Sequence, residues 1–478
     1  MTSLIKNDKV LRVLDMNKLL FKIVFMILMI LTAVPYLHMA IGSYVRVMIV
    51  WGGATILLEL LSGAKLFFNK LLLLLLGFAA SYAVTIVYYR GLNFDANIKQ
   101  LIYMVIIFIL IFGYDLSRPA AEMRKEVTIV TWSFVIATFT ASLICFITYA
   151  FSIHGYYRGE DGSWLNYGLI DNRLWGLYNA NTGSTINNTS MILTIALLAQ
   201  KGGHKLRMRI FCAVNLFLQF SCQILTGSRT AVYVFLIGTA LLAFYLIPQF
   251  VKPLQVHNLK NYVLRVTSAI LVVVCVFGAS QALRYGLSYI PGTVKYFTSS
   301  SDVGGEDNSI EQTNLDRVEE FEHMEGGFLN GRIFLWTAGV KTWEKSPIWG
   351  VTRENIYEMG KNYVEGDNWH SSLRKGGIHN IYVTILASSG LLGSIIMLIF
   401  IILSLIKMLK SLYKKQILDE NKRWFICCFV LLAMFAVTEC FEARILYQVG
   451  VFYIVFWLYY GYAIYFSEKR EEINEKAD

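Results

Sequence analysis

The chain has 478 residues, 56% hydrophobic and only 16% charged, with a net charge of +10. A soluble protein of that length needs far more polar surface, so a water-soluble enzyme or binding domain is excluded. The basic excess would suit nucleic acid, but its placement along the chain assigns it to topology instead.

Apolar blocks long enough to cross a hydrocarbon core of about 30 Å recur along the chain. In order they predict twelve spans, roughly at 19–41, 44–62, 66–89, 98–116, 127–151, 185–200, 210–226, 230–249, 266–283, 379–406, 424–441 and 446–466. Segments this long cross as helices rather than barrel strands, so the predicted fold is an all-α polytopic membrane protein. Residues 1–478 are expected to form a single integral membrane domain. The first span follows Lys6, Lys9, Arg12 and Lys18 and reads as a retained signal anchor. With both termini cytoplasmic, the short outer connections carry only Arg46, Arg90, Lys99, Arg158, Arg173, Arg229 and Arg444. The inner segments then carry more than half of the 43 Lys and Arg. This positive-inside pattern makes anionic membrane lipid the partner of the basic charge, and not nucleic acid. The seven cysteines fall in or beside spans and read as packing residues rather than a disulfide framework.

Two outer segments interrupt the spans. The first, 152–184, is rich in Gly, Asn and aromatics; the second, 284–378, is a large extracytoplasmic loop between the ninth and tenth spans. The large loop contains an acidic patch (Glu319, Glu320, Glu322, His323, Glu325), expected to be a solvated face. "NGRIFLWTAGVKTWEKSP" follows and predicts an amphipathic helix with Ile333, Trp336, Val340 and Trp343 on its apolar face, stopped at Ser346-Pro347. Tryptophans on such a face suit the headgroup zone.

The inner connections are too short for a nucleotide-binding domain, and no G-x-x-x-x-G-K-[ST], H-E-x-x-H or D-x-D run occurs. The expectation is chemistry outside the cell without ATP, cofactor or metal. Glu59 and Glu439 are the carboxylates nearest the span interiors, whereas an ion-coupled transporter carries a chain of such groups near the midplane. A flippase of neutral mechanism stays open as an alternative.

Polar candidates gather instead at one predicted depth, on the outer side. Arg229 lies in the tight "LTGSRTAVY" turn, Arg332 opens the amphipathic helix, and His379 opens the tenth span. "TECFEARILY" adds Glu439, Glu442 and Arg444. Arginine forks grip phosphate oxygens bidentately and stay charged. A histidine can take the proton of an attacking hydroxyl near neutral pH. The plainer alternatives are snorkelling anchors for the arginines and a helix cap for His379-Asn380.

Four stretches, taken together and in this order, resemble the O-antigen ligase and polymerase family of bacterial surface-polysaccharide assembly. They are "RLWGLYNANTGS" (173–184), "LTGSRTAVY" (225–233), "NGRIFLWTAGVKTWEKSPIWGV" (330–351) and "HNIYVTILASSGLLG" (379–393). The third resembles the family's run through Arg332, Trp336, Pro347 and Gly350. The fourth resembles its histidine-asparagine followed by glycine-leucine-x-glycine. The chain departs from the family's asparagine-proline-asparagine at Asn179-Ala180-Asn181. The resemblance implies metal-independent, inverting transfer from an undecaprenyl diphosphate-linked glycan. Arg229 and Arg332 would be diphosphate ligands and His379 the base or acceptor-orienting group. Asn380, Trp336 and Arg173 on those stretches, with Glu439, Glu442 and Arg444 from their placement at the same depth, are expected to line the substrate, the plainer alternative being that Glu439 and Arg444 only pair across their turn. The implied partners are the lipid-linked donor and acceptor, membrane lipid, a flippase and a chain-length regulator. Repeat-unit polymerase and glycan ligase share these motifs, and both readings stay open.

Overall fold

The computed structural model describes residues 8–63, 69–158, 164–200, 205–251, 259–298, 310–316, 332–375, 377–412 and 419–469. The acidic patch at 319–325 lies outside them. In chain order the first helices are α1 (Asp8–Thr32), α2 (Pro35–Ile41), α3 (Val47–Leu61), α4 (Lys70–Tyr88), α5 (Phe94–Ile106) and α6 (Ala120–Ala150). Strands β1 (Gly155–Arg158), β2 (Trp164–Tyr167), β3 (Leu169–Ile170) and β4 (Arg173–Leu174) follow. Then come α7 (Ala180–Leu198), α8 (Leu206–Leu225), α9 (Arg229–Val251), α10 (Leu259–Ser288), α11 (Ile290–Thr298) and α12 (Arg332–Glu344). The last are α13 (Ile356–Gly360), α14 (Asp367–Lys375), α15 (Ile381–Leu412), α16 (Asp419–Thr438) and α17 (Val451–Glu468).

Among the described residues nine helices are long and apolar enough to cross a membrane, and each coincides with an expected span. The chain is a multi-pass membrane protein. The expected first, sixth and twelfth spans are the helices α1, α7 and α17, which fall outside that set. Their composition is the reason: α1 carries Asp15, Lys18 and Lys22, α7 is dense in Asn, Ser and Thr, and α17 in Tyr.

The chain divides into two compact units. The first comprises Met1–Met29, Ser43–Val127 and Glu320–Asp478. Its centre is α17, buried on every side from Val451 to Ser467, as a helix apolar all round must be. Phe108, Phe112, Phe400, Trp457 and Tyr460 stack around it with ring centroids 4.8–5.8 Å apart. Buried charges are paired: Glu126 takes Lys22 at 2.7 Å, Arg118 at 2.7 Å and the Tyr462 hydroxyl at 2.9 Å. Glu59 is held by Lys18 at 3.0 Å, which accounts for that carboxylate structurally.

Helix α15 is broken at Gly390, whose φ of 62° and ψ of −168° leave the helical region. The break would strand backbone groups, and the segment after α12 satisfies them. Leu391 and Leu392 N–H donate to the carbonyls of Pro347 and Ile348 at 2.8 and 3.2 Å. Val351 and Thr352 N–H donate to those of Ala387 and Ser388 at 2.9 and 3.0 Å. Thr85 Oγ1 donates to the Trp349 carbonyl at 2.6 Å, tying this clamp to α4. Gly350 and Gly390 make the approach possible: a Cβ on Gly350 would stand 2.5 Å from Gly390 N. The proline-x-x-glycine and glycine-leucine-x-glycine motifs are therefore two halves of one backbone joint.

Helix α12 forms where expected, but its buried face differs. Leu335, Ala338, Gly339 and Thr342 face the unit, while Ile333 and Val340 are exposed and Trp336 and Trp343 half-buried. Small residues win that face because the contact is close. A Cβ on Gly339 would meet Ile378 Cδ1 at 2.7 Å and Val383 Cγ1 at 2.8 Å.

The second unit comprises Ile30–Gly42 and Thr128–Glu319. Its interior carries a polar seam instead of a purely apolar one. Thr138 meets Ser190 at 2.8 Å, Ser142 donates to Gln219 at 2.9 Å, and Asn215 Nδ2 donates to Thr194 at 2.7 Å. Satisfied amides and hydroxyls of this kind are how helices hold together in lipid. The 152–184 segment corrects the all-α expectation locally: β1 pairs with β2 and β3 with β4, both antiparallel. Asp171 and Asn172, both at positive φ (52° and 56°), form the two-residue turn of the second hairpin.

Candidate active site

In the first unit, one end of the bundle gathers seven of the nine residues singled out from sequence. That end is where α15 begins and α16 finishes. Ile381 N–H donates to the Glu439 carbonyl at 3.0 Å, joining the two helix ends. Asn380 is the cap of α15: its Oδ1 accepts from Tyr382 and Val383 N–H at 3.0 and 3.1 Å, and its Nδ2 donates to the Cys440 carbonyl at 3.1 Å. Its amide is thus committed to positioning. His379, one residue earlier with φ of 53°, is not the cap, and its ring is turned elsewhere.

It turns to Glu442. His379 Nδ1 lies 3.1 Å from Glu442 Oε2. Glu442 Oε1 meets Arg444 Nη2 at 2.9 Å and Arg332 Nη2 at 3.6 Å. Burial pushes the Glu442 carboxyl up, but Arg444, the His379 hydrogen bond and Arg332 outweigh it and hold it at about 2. An ionised carboxylate only accepts, so it fixes Nδ1 as the protonated nitrogen and leaves Nε2 with its lone pair. Burial lowers the Arg332 pKa, against the pull of Glu442. Two cations sharing one carboxylate leave this cluster net positive, and Arg444 Nη1 is buried with no partner among the described residues. Trp336, one helical turn after Arg332, points its Nε1 at the His379 carbonyl, 3.4 Å away.

Glu439 does something different from Glu442. Its carboxylate accepts the backbone N–H of Arg444 at 2.8 Å, shaping the turn, while the Arg444 guanidinium goes to Glu442. Burial raises the Glu439 carboxyl to about 7, with the Arg444 N–H and charge acting against it. The role of Glu442 as the hub was not legible from sequence; its spacing from His379 is a matter of tertiary fold.

The remaining two residues lie in the second unit. Arg229 is exposed at the first position of α9. Arg173 buttresses the turn before it: Nε donates to the Thr226 carbonyl at 2.9 Å and Nη2 to Asn181 Oδ1 at 3.1 Å. Gly227, at φ of 61°, supplies the left-handed position of that turn beside the arginine stem. Asn179 caps α7 through a bond from Asn181 N–H at 3.0 Å, so this cap does without the family's proline.

A multi-pass membrane protein with a histidine–carboxylate pair and arginines at a bundle end is the class so defined. Residues 214–398 match the family model described as O-antigen ligase. The resemblance carried by the motifs is to that family of ligases and polymerases, whose members are glycosyltransferase-like enzymes. No curated protein matches the chain.

Proposed function

We propose that the chain is a polysaccharide polymerase of the bacterial cell membrane. It joins undecaprenyl diphosphate-linked repeat units on the outer face, with both termini cytoplasmic. The observation that carries this reading is the His379–Glu442 pair flanked by two arginines. The lipid diphosphate is already a good leaving group, whereas the acceptor sugar hydroxyl is a poor nucleophile and needs a base. The hydroxyl oxygen attacks the anomeric carbon of the donor as its proton passes to His379 Nε2. The bond from that carbon to the diphosphate oxygen breaks, with its electron pair leaving on the undecaprenyl diphosphate. Attack from the opposite face inverts the configuration. Glu442 keeps the imidazole oriented and stabilises the imidazolium, as carboxylates do in histidine dyads. Arg332 and the free edge of Arg444 balance the leaving charge. Arg229 is the further diphosphate ligand that the resemblance implies.

A ligase would use the same steps on a different acceptor, and the accumulated product separates the two. Deleting a polymerase leaves single repeat units on lipid, the outcome expected here. Long chains stranded on undecaprenyl diphosphate would instead identify a ligase.

A further inference from the structure

Arg353 was not singled out by any motif, yet its surroundings set it apart. It follows the Pro347–Thr352 clamp directly, and its backbone N–H donates to the Tyr82 hydroxyl at 3.1 Å. Its half-buried guanidinium lies over Gly377, where a Cβ would stand 2.9 Å from Cζ. Among the described residues that guanidinium has no ion-pair or hydrogen-bond partner. The adjacent carboxylate, Glu354, accepts from Gln100 Nε2 and reaches Arg353 only through its charge. Beside it, Thr352 Oγ1 and Ser388 Oγ are fully buried and also partnerless, although their backbones are bonded at 3.0 Å. Thr352 sits at φ of 66°, a region that β-branched residues rarely occupy.

An arginine cannot shed its charge, and a partly buried guanidinium whose neighbouring carboxylate acts on it only at a distance, with no direct ion pair, is suited to take an anion from outside the chain. Burial depresses the Arg353 pKa, with Glu354, Tyr82 and Tyr447 acting against it. Gly377 and His379 are two residues apart, a span of at most about 7 Å. A group held at Arg353 and one acted on at His379 can therefore belong to a single extended ligand.

We propose that Arg353 is a further oxyanion-binding residue of the site, holding phosphate oxygens of the lipid-linked substrate beside the His379 turn. This rests on the glycosyl-transfer reading above. Its chemistry is that of a phosphate ester, which a polyprenyl diphosphate or a phospholipid headgroup could supply; the assignment is to the diphosphate.

The test is binding of a short-chain polyprenyl diphosphate to the purified full-length protein in detergent, for wild type, Arg353→Gln and Arg353→Lys. Wild type should bind, Arg353→Gln should weaken binding roughly ten- to a hundredfold, and Arg353→Lys should fall between. Without ligand, Arg353→Gln should melt no lower than wild type, since burial costs that charge more than Glu354 returns. A lower melting point with unchanged affinity would make Arg353 a structural prop and overturn the proposal. Equal competition by phosphatidylglycerol would overturn the substrate assignment in favour of headgroups. If wild type binds and Arg353→Gln binds equally, only the role of Arg353 falls. If wild type does not bind, the reading of the whole site falls with it.

Discussion

At the scale of single residues, the site separates three roles that sequence alone had left superposed at one membrane depth. Asn380 caps the helix, Glu439 makes the turn, and His379 is left to face Glu442. Because the cap is already supplied, His379→Asn has no capping function to rescue. Both His379→Asn and His379→Ala should lose roughly 10²–10⁴ in rate, measured as polymer formed at matched protein level. Glu439 predicts a separate effect on stability. Its carboxyl is raised to about 7 in the folded protein, against an ordinary value near about 4.3. A raised pKa contributes stability fully below the unfolded value and loses it as pH rises through the folded one. Melting points of the wild type should therefore fall between about pH 4.5 and 7.5, and Glu439→Gln should flatten that slope. An unchanged slope in the variant would place the titration elsewhere.

At the scale of elements, the broken α15 and its clamp show what was and was not legible. The helix itself, its start at the His379-Asn380 seam and the stop of α12 near Ser346-Pro347 were legible, because apolar run length and proline act locally. The break at Gly390 was not, since a glycine in an apolar run reads as tolerated helix until a distant strand of backbone is seen to pair with it. The buried face of α12 misled for a related reason. Apolar periodicity marks the large residues, Ile333, Trp336, Val340 and Trp343, whereas close packing selected Ala338 and Gly339. The hairpins of 155–174 were missed because their signal is only a two-residue turn at Asp171-Asn172. Gly390→Ala tests the joint: positive φ and the approach of Gly350 N, 2.5 Å from the added Cβ, should cost several kcal/mol. Gly278→Ala, with nothing within 4 Å of its added Cβ, should leave the melting point within a degree or two of wild type. Equal behaviour of the two variants would deny the clamp its role.

At the scale of the molecule, orientation follows from charge. If the positive-inside pattern holds, Asn362 faces out and Lys410 faces the cytoplasm, and both are exposed on the protein. In intact cells, with the native thiols removed, a membrane-impermeant thiol reagent should label Asn362→Cys and spare Lys410→Cys. The reverse would move His379 to the inner face and take the outer-leaflet chemistry with it. The central claim is covalent: glycan passes from lipid diphosphate to a sugar hydroxyl with His379 as base. The most direct measurement is reconstitution of the purified protein in liposomes with a lipid-linked repeat unit, followed by product analysis. The account predicts a ladder of longer lipid-linked glycans, one undecaprenyl diphosphate released per bond formed, and no ladder from His379→Asn. Substrate that crosses the bilayer chemically unchanged, or a full ladder from His379→Asn, would contradict it.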